Sequence, residues 1–118
     1  MDLKNYKTQR VEGLMKKYSI RQVLKEISDM PDGWFYLPDG EWKLDTEGSF
    51  SLDSRDFSPD SKDYLPPQVI TEGWEETLDT PMIEDVIFNV NEQIASPTIE
   101  DYFEAFKYYY ENDAFKIF

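Results

Sequence analysis

Apolar residues recur at helical spacing in two stretches of the C-terminal third of the chain, a pattern typical of amphipathic helices. The first stripe consists of Ile83, Val86, Ile87, Val90 and Ile94, and the second of Ile99, Tyr102, Phe103, Phe106, Tyr109 and Tyr110. Thr80-Pro81 and Ser96-Pro97 each place a capping residue before a proline, which favours a helix start. Asn112-Asp113 is expected to end the second helix.

A shorter helix is predicted to begin at Ser19. Its hydroxyl can cap the helix, and Gln22 follows at the spacing of a capping box. The apolar positions that follow share one face, and they are Ile20, Val23, Leu24 and Ile27. Residues 30–33 combine proline with glycine and predict the end of this helix. Residues 1–18 are interpreted as a basic N-terminal extension or a further helix, and residues 19–118 as one domain.

Short alternating or aromatic runs outside these helices predict a small sheet. The predicted strands are Trp34–Leu37, Trp42–Leu44, Phe50–Leu52, Glu75–Asp79 and Ala114–Phe118, with turns at residues 38–40 and 47–49 and a loop over Asp53–Pro67. The expected fold is α+β, with a mostly antiparallel sheet of about three to five strands and about three to four helices packed on it.

The composition excludes several kinds of catalytic and metal-binding site. The 118 residues include no Cys and no His, which excludes a cysteine nucleophile, a histidine base and Cys/His zinc sites. Serine occurs in neither a Gly-x-Ser-x-Gly nor a Ser-x-x-Lys motif. Because the chain has 25 acidic residues, a pair of neighbouring carboxylates does not by itself indicate a catalytic site. We therefore expect no enzymatic activity and no cofactor.

The chain is strongly acidic, with 12 Lys and Arg against 25 Asp and Glu and a formal net charge of −13. The acidic residues are concentrated after residue 28, in the body of the predicted domain. Such a protein repels nucleic acids and anionic membranes and attracts basic partners. A terminus without an apolar leader, together with the absence of a long apolar run, predicts a cytoplasmic protein.

Four aspartates fall within the predicted loop at spacings of three and four residues. They are Asp53, Asp56, Asp60 and Asp63. The spacing lacks the alternate ligands and the closing glutamate of an EF-hand. A solvated acidic loop is therefore favoured over a calcium site, and no metal is expected. As part of an acidic surface, the same carboxylates are candidates for contact with a basic partner.

Aromatic residues beside acidic ones complete the candidate binding surface. Helical spacing turns Tyr108 outwards, whereas Tyr109 and Tyr110 are expected in the core. Trp42 follows Asp39 and Glu41 at a turn. Tyr and Trp are frequent interface anchors, although core packing explains many of them. We predict partner binding by Asp39, Glu41, Trp42, Tyr108 and the four loop aspartates.

Four segments also carry a resemblance to a known group of proteins. They are residues 19–27 (SIRQVLKEI), 30–38 (MPDGWFYLP), 42–46 (WKLDT) and 102–115 (YFEAFKYYYENDAF). Over about residues 19–118 the chain resembles small acidic bacterial proteins that act as immunity partners in polymorphic toxin and contact-dependent growth inhibition systems. The resemblance implies a cytoplasmic protein that binds and neutralises a cognate cationic toxin, such as a nuclease. It assigns no inhibitory residue, and a non-catalytic adaptor with an aromatic binding patch is the alternative.

Overall fold

A computed structural model describes residues 16–118, which form four strands and four helices. The strands are β1 (Lys17–Ser19), β2 (Trp34–Leu37), β3 (Glu47–Phe50) and β4 (Glu75–Asp79), and the helices are α1 (Ile20–Lys25), α2 (Pro67–Thr71), α3 (Thr80–Gln93) and α4 (Ile99–Asn112). Two 3₁₀ turns, Ile27–Asp29 and Ser54–Asp56, lie between them. The helix considered for residues 1–18 lies outside the described residues except at its end, where Tyr18 belongs to a strand instead.

The strands form one antiparallel sheet in the order β1-β3-β2-β4. The predicted α+β class is therefore confirmed. The central strand β2 separates two faces, because successive side chains of a strand point to opposite sides. Phe35 and Leu37 are fully buried on the side that carries the helices, while Trp34 is exposed on the other side. We call these the helix side and the outer side of the sheet.

The core fills the helix side. The rings of Phe35 and Phe50 lie 4.8 Å apart, at the paired positions of β2 and β3. Helices α1, α3 and α4 cover them with buried side chains, which are Ile20, Val23, Leu24, Ile83, Val86, Val90, Ala105 and Phe106. The predicted stripe of α3 is confirmed as its inward face. Burial of apolar surface on this one side holds the domain together.

A β-bulge interrupts the pairing of β4 with β2. Trp34 pairs with Asp79 and Tyr36 with Glu76, so β4 contains one extra residue between these pairs. The Thr77 hydroxyl donates a 2.6 Å hydrogen bond to the Phe35 carbonyl at this point. As a result Glu76 and Asp79, although three residues apart, both pair with outward-facing residues of β2, namely Tyr36 and Trp34.

Two of the predicted strands are wrong. One is replaced by a hydrogen-bonded turn, and the other lies earlier in the chain than predicted. Residues 42–44 form no strand, since the Trp42 indole donates to the Pro38 carbonyl at 2.7 Å and the Lys43 amide donates to the Thr46 hydroxyl at 2.8 Å. The strand expected at residues 50–52 instead spans Glu47–Phe50. Gly48, predicted in a turn, lies within this strand at a position that requires glycine, because a β-carbon there would come within 2.3 Å of the Tyr36 carbonyl oxygen.

The terminal strand predicted at residues 114–118 is also absent. Asp113 takes a left-handed conformation with φ 54°, which confirms the end of α4 at Asn112-Asp113. The chain then runs back without strand pairing. Gln93 holds it by donating to the Lys116 carbonyl at 2.8 Å and accepting from the Phe118 amide at 3.0 Å.

One predicted helix start is confirmed, and two differ from the structure by one or two residues. The Ser19 cap of α1 is confirmed, because its hydroxyl accepts from the Gln22 amide at 3.1 Å. Asp79, rather than Thr80, caps α3. Thr98, rather than Ser96, caps α4 in a capping box with Asp101. In both cases the Thr-Pro or Ser-Pro sequence predicted the region of the helix start but not the capping residue. The side-chain oxygen of another residue accepts from the free backbone amides of the first turn.

Two further predictions for helices need correction. Helix α1 ends at Lys25 and continues only as the 3₁₀ turn Ile27–Asp29, short of the predicted stop at residue 30. Helix α2 was not predicted, because its five residues are too few to show an apolar stripe. Its first residue, Pro67, was the only local signal.

The close packing at Gly48 generates a stability prediction. Gly48→Ala should lower the free energy of unfolding by at least about 2 kcal/mol, because the added methyl meets backbone and the side chains of Phe35 and Leu37. Urea unfolding followed by tryptophan fluorescence measures the change. Glu47→Ala, an exposed position on the same strand, is the matched control and should change stability far less. Equal effects of the two substitutions would contradict this packing.

Candidate functional site

A groove of about 460 Å³ opens on the outer side of the sheet. Trp34 and Tyr36 of β2 line it, together with residues 51–55, which follow β3, and Tyr64. Trp34, the first residue of the predicted and observed strand β2, is 41% exposed because it faces away from the helices. Four carboxylates lie among the lining residues, at Asp32, Asp53, Glu76 and Asp79. We call this cavity the outer groove.

A tyrosine–glutamate pair crosses the floor of the outer groove. The Tyr36 hydroxyl donates to Oε1 of Glu76 at 3.0 Å. Burial of the phenol, assisted by this hydrogen bond and by the negative charge of Glu76, raises the pKa of Tyr36. The phenol therefore stays protonated and remains a donor. Because a carboxylate has two oxygens, Glu76 keeps acceptor capacity for a second donor.

An aspartate–arginine pair lies at the rim of the outer groove. The Arg55 guanidinium contacts both oxygens of Asp53, the shortest distance being 2.7 Å. Asp53 also caps the 3₁₀ turn by accepting from the Arg55 amide at 2.9 Å. These hydrogen bonds from Arg55 favour the ionised carboxylate and lower the pKa of Asp53 to about 2. The guanidinium neutralises part of the negative charge here.

A second groove, of about 270 Å³, lies at the opposite side of the sheet. We call it the helix-side groove, and its lining residues are Gly40, Glu41, Trp42, Glu75, Lys107, Tyr110 and Glu111. Trp42 is half-buried and packs against Tyr110 with ring centroids 5.1 Å apart and against Phe106 at 6.1 Å. Its indole is fixed by the hydrogen bond to Pro38.

Tyr110 joins α4 to the edge of the sheet. Its hydroxyl donates to Oε2 of Glu75 at 3.2 Å. Partial burial of the phenol is the largest cause of the raised pKa of Tyr110. The negative charge of Glu75 is the next largest cause, and the charge of Asp39 adds to the effect. The prediction that Tyr110 lies in the core is wrong. The residue is 36% exposed because it packs beside Trp42 at the groove rather than beneath the sheet.

Tyr108 lies in a neighbouring hollow of about 310 Å³, lined by Glu104, Lys107, Tyr108, Glu111 and Lys116. Its predicted outward orientation is confirmed, with 38% of its surface exposed. The Lys116 ammonium lies 5.6 Å from the centre of its ring. Because Lys107 and Glu111 line both cavities, Tyr108 is adjacent to the helix-side groove.

The structure thus divides the predicted residues into separate groups. Glu41 and Trp42 line the helix-side groove, with Asp39 beside it and Tyr108 in the adjoining hollow. Asp53 lines the outer groove. The other loop aspartates, Asp56, Asp60 and Asp63, are exposed and line neither groove.

Several lining residues were missed by sequence reasoning. They are Asp32, Trp34, Tyr36, Tyr64, Glu75, Glu76, Asp79 and Tyr110. One signal was available for Glu75 and Glu76: two adjacent acids at the start of a predicted strand must point to opposite faces. Without the strand order, however, the partners across each face cannot be assigned.

Residues 16–118 contain neither a cluster suited to a metal ion nor a helix suited to span a membrane. No group of three or more Asp and Glu side chains there is arranged to hold a metal ion. The four loop aspartates in particular are not gathered into such a group. No described helix is both long and apolar enough to cross a bilayer.

The fold and its two grooves define a small α+β domain with an acidic, aromatic-lined edge. Residues 17–118 match the family described as a domain of unknown function, DUF7716, and the chain belongs to that family. The match begins at Lys17, the first residue of β1. No curated protein and no solved structure matches the chain significantly.

The Asp53–Arg55 pair generates a titration prediction. Arg55→Gln should raise the pKa of Asp53 from about 2 towards its ordinary value of 3.8, because the charged donor is lost. In the native protein this pair favours the folded state above about pH 4, and the contribution is lost as pH falls towards 2. NMR titration of the carboxyl carbon measures both values. Lys62→Gln is the control, and an unchanged Asp53 pKa in Arg55→Gln would refute the assignment.

Proposed function

We propose that this protein is a non-catalytic cytoplasmic immunity protein, which binds a cognate cationic toxin domain, such as a nuclease, and covers its functional surface. One observation carries the proposal. Two grooves flank one edge of the sheet, and each combines an aromatic wall with several carboxylates. Rigid aromatic groups provide contact area at low entropic cost, while carboxylates complement a basic surface.

The charges of the helix-side groove illustrate this complementarity. Glu41, Glu75 and Glu111 line it against a single lysine among the lining residues, Lys107. That lysine also lies 4.4 Å from the centre of the Phe103 ring. A nuclease must present cations to bind phosphate groups. Carboxylates held at fixed positions can occupy those cations in place of phosphate.

The distribution of ion pairs also supports attraction of a basic partner. The residues of the described part form two ion pairs with one another, Arg21–Asp45 and Arg55–Asp53. The chain as a whole has 25 Asp and Glu against 12 Lys and Arg, which gives the formal net charge of −13. A field of this sign accelerates association with a cationic protein, and salt screens it over about 10 Å at 0.1 M.

A non-catalytic adaptor is the second candidate, and exposed aromatic residues favour it. Trp34 and Tyr108 are 41% and 38% exposed, and such residues anchor protein interfaces without charge. The two functions differ in their dependence on salt. An adaptor that relies on aromatic contacts should keep its affinity at 0.5 M salt, whereas an immunity protein that relies on carboxylates should lose much of it.

Co-expression with the protein encoded immediately upstream, as the candidate toxin, tests the proposal. Survival of the host together with a stable complex would support immunity. No complex and no survival, with the protein expressed and folded, would contradict it. A stable complex without survival would favour the adaptor.

Charge reversal in the helix-side groove should weaken the complex. Glu41→Lys, Glu75→Lys and Glu111→Lys in one chain should raise the Kd for the toxin domain at least about tenfold, because close charge pairs become repulsive. The matched control reverses three exposed acids of α3, Glu84→Lys, Asp85→Lys and Glu92→Lys, and alters the net charge equally. Calorimetry at 0.1 M salt measures both. Equal losses would show that total charge, rather than the groove, determines affinity.

The loop aspartates are expected to act at longer range. Because Asp56, Asp60 and Asp63 line neither groove, reversing all three to lysine should slow association severalfold and leave dissociation nearly unchanged. Surface plasmon resonance separates the two rate constants. A large increase in the dissociation rate would place these aspartates in the interface instead.

A further inference from the structure

Strand β4 forms one edge of the sheet and pairs only with β2 among the described strands. Within residues 16–118, Glu75–Asp79 form no backbone hydrogen bond to another segment apart from this pairing. An unpaired edge presents free amide and carbonyl groups to any extended chain that approaches it.

Hydrogen bonds on the neighbouring strand show which groups of β4 point outwards. The Trp34 carbonyl accepts from the Ser51 amide, on the β3 side of β2. In antiparallel pairing the bonding direction alternates from residue to residue. Phe35 and Leu37 therefore bond towards β4, as the Thr77 hydroxyl bond to the Phe35 carbonyl also shows. Glu76, which pairs with Tyr36, then directs its amide and carbonyl away from the sheet.

The side chains at this edge place one glutamate in each groove. Glu75 faces the helix side, where it accepts from Tyr110, and Glu76 faces the outer side, where it accepts from Tyr36. Each carboxylate receives one phenolic hydrogen bond and retains acceptor capacity for a cation. Asp79 is less available, because it caps α3 by accepting from the Met82 amide.

A second copy of this chain is a poor occupant of the edge. The strand Glu75–Asp79 contains three acidic residues and no basic one. Pairing two such strands would place like charges near one another, which is destabilising. Charge complementarity therefore selects a cationic segment.

We propose that β4 receives an extended segment of the partner as a fifth strand, and that this segment carries two consecutive basic residues. Neighbouring residues of a strand point to opposite faces. One basic side chain would therefore enter the helix-side groove towards Glu75, and the next would enter the outer groove towards Glu76. The partner backbone would bond to Glu76. The inference rests on the proposed function for the source of the segment, which is the cationic toxin domain.

Two synthetic peptides of identical composition test this arrangement directly on the full chain. The first, Thr-Val-Thr-Lys-Arg-Thr-Val-Thr, has adjacent basic residues, and the second, Thr-Val-Lys-Thr-Arg-Thr-Val-Thr, separates them by one residue. The first should bind about tenfold more tightly, because the second places both charges on one face. It should also slow exchange of the Glu76 amide. N-methylation of its Lys and Arg amides should reduce binding strongly, since those backbone donors are lost.

Conservative variants connect the binding to the two glutamates. Glu75→Gln and Glu76→Gln keep an acceptor for each tyrosine but remove the charge, and each should weaken the first peptide severalfold. Glu84→Gln and Asp85→Asn on exposed α3 positions are the matched controls. Circular dichroism and thermal unfolding verify that each variant is folded. Equal affinity for both peptides, no binding at millimolar concentration, or an unchanged exchange rate at Glu76 would overturn the inference.

The peptide experiment can fail independently of the proposed function. If the toxin complex forms and protects cells but the peptides do not bind, immunity stands and the β4 site is wrong. If the first peptide binds at Glu76 as expected but no toxin complex forms, the edge site stands and the immunity function is wrong.

Discussion

The alternation of side chains along β2 is the constraint on which the rest of the structure depends. Phe35 and Leu37 anchor the core beneath the helices, and this fixes Trp34 and Tyr36 on the outer side. The same strand pairs with β4, so its register determines where Glu75 and Glu76 lie. Because a shift of one residue would exchange the two faces, core burial also determines the acidic edge.

The parts of the fold with long apolar periodicity could be predicted from the sequence. Helices α3 and α4 and strand β2 appear where expected, since a helical stripe or a short apolar run is a local property. Strand β4 also lies where predicted, although its sequence is not an apolar run. The errors lie where non-local packing decides. Gly48 resembles a turn residue but lies in β3, where glycine is required because the Tyr36 carbonyl of the neighbouring strand leaves no space for a β-carbon. Trp42 belongs to a turn because its indole bonds to Pro38.

The candidate site was only partly predictable for the same reason. Glu41, Trp42 and Asp53 could be selected because each stands near a turn or in a loop rich in acids. The pairing of Tyr110 with Glu75, and of Tyr36 with Glu76, joins residues 35 and 40 positions apart. Only the strand order and the placement of α4 bring those groups together. The −13 net charge indicated the sign of a partner but not the edge that would receive it.

The proposed binding of a cationic partner at the edge formed by β4 and its two grooves can be tested on the full chain. Hydrogen–deuterium exchange of the full chain, alone and bound to the toxin domain, tests it most directly. We expect protection concentrated in residues 39–42, 51–55, 75–79 and 107–111, with the exposed face of α3 around Phe88 unchanged. Protection confined to that face of α3, or to the loop around Asp60, would contradict it.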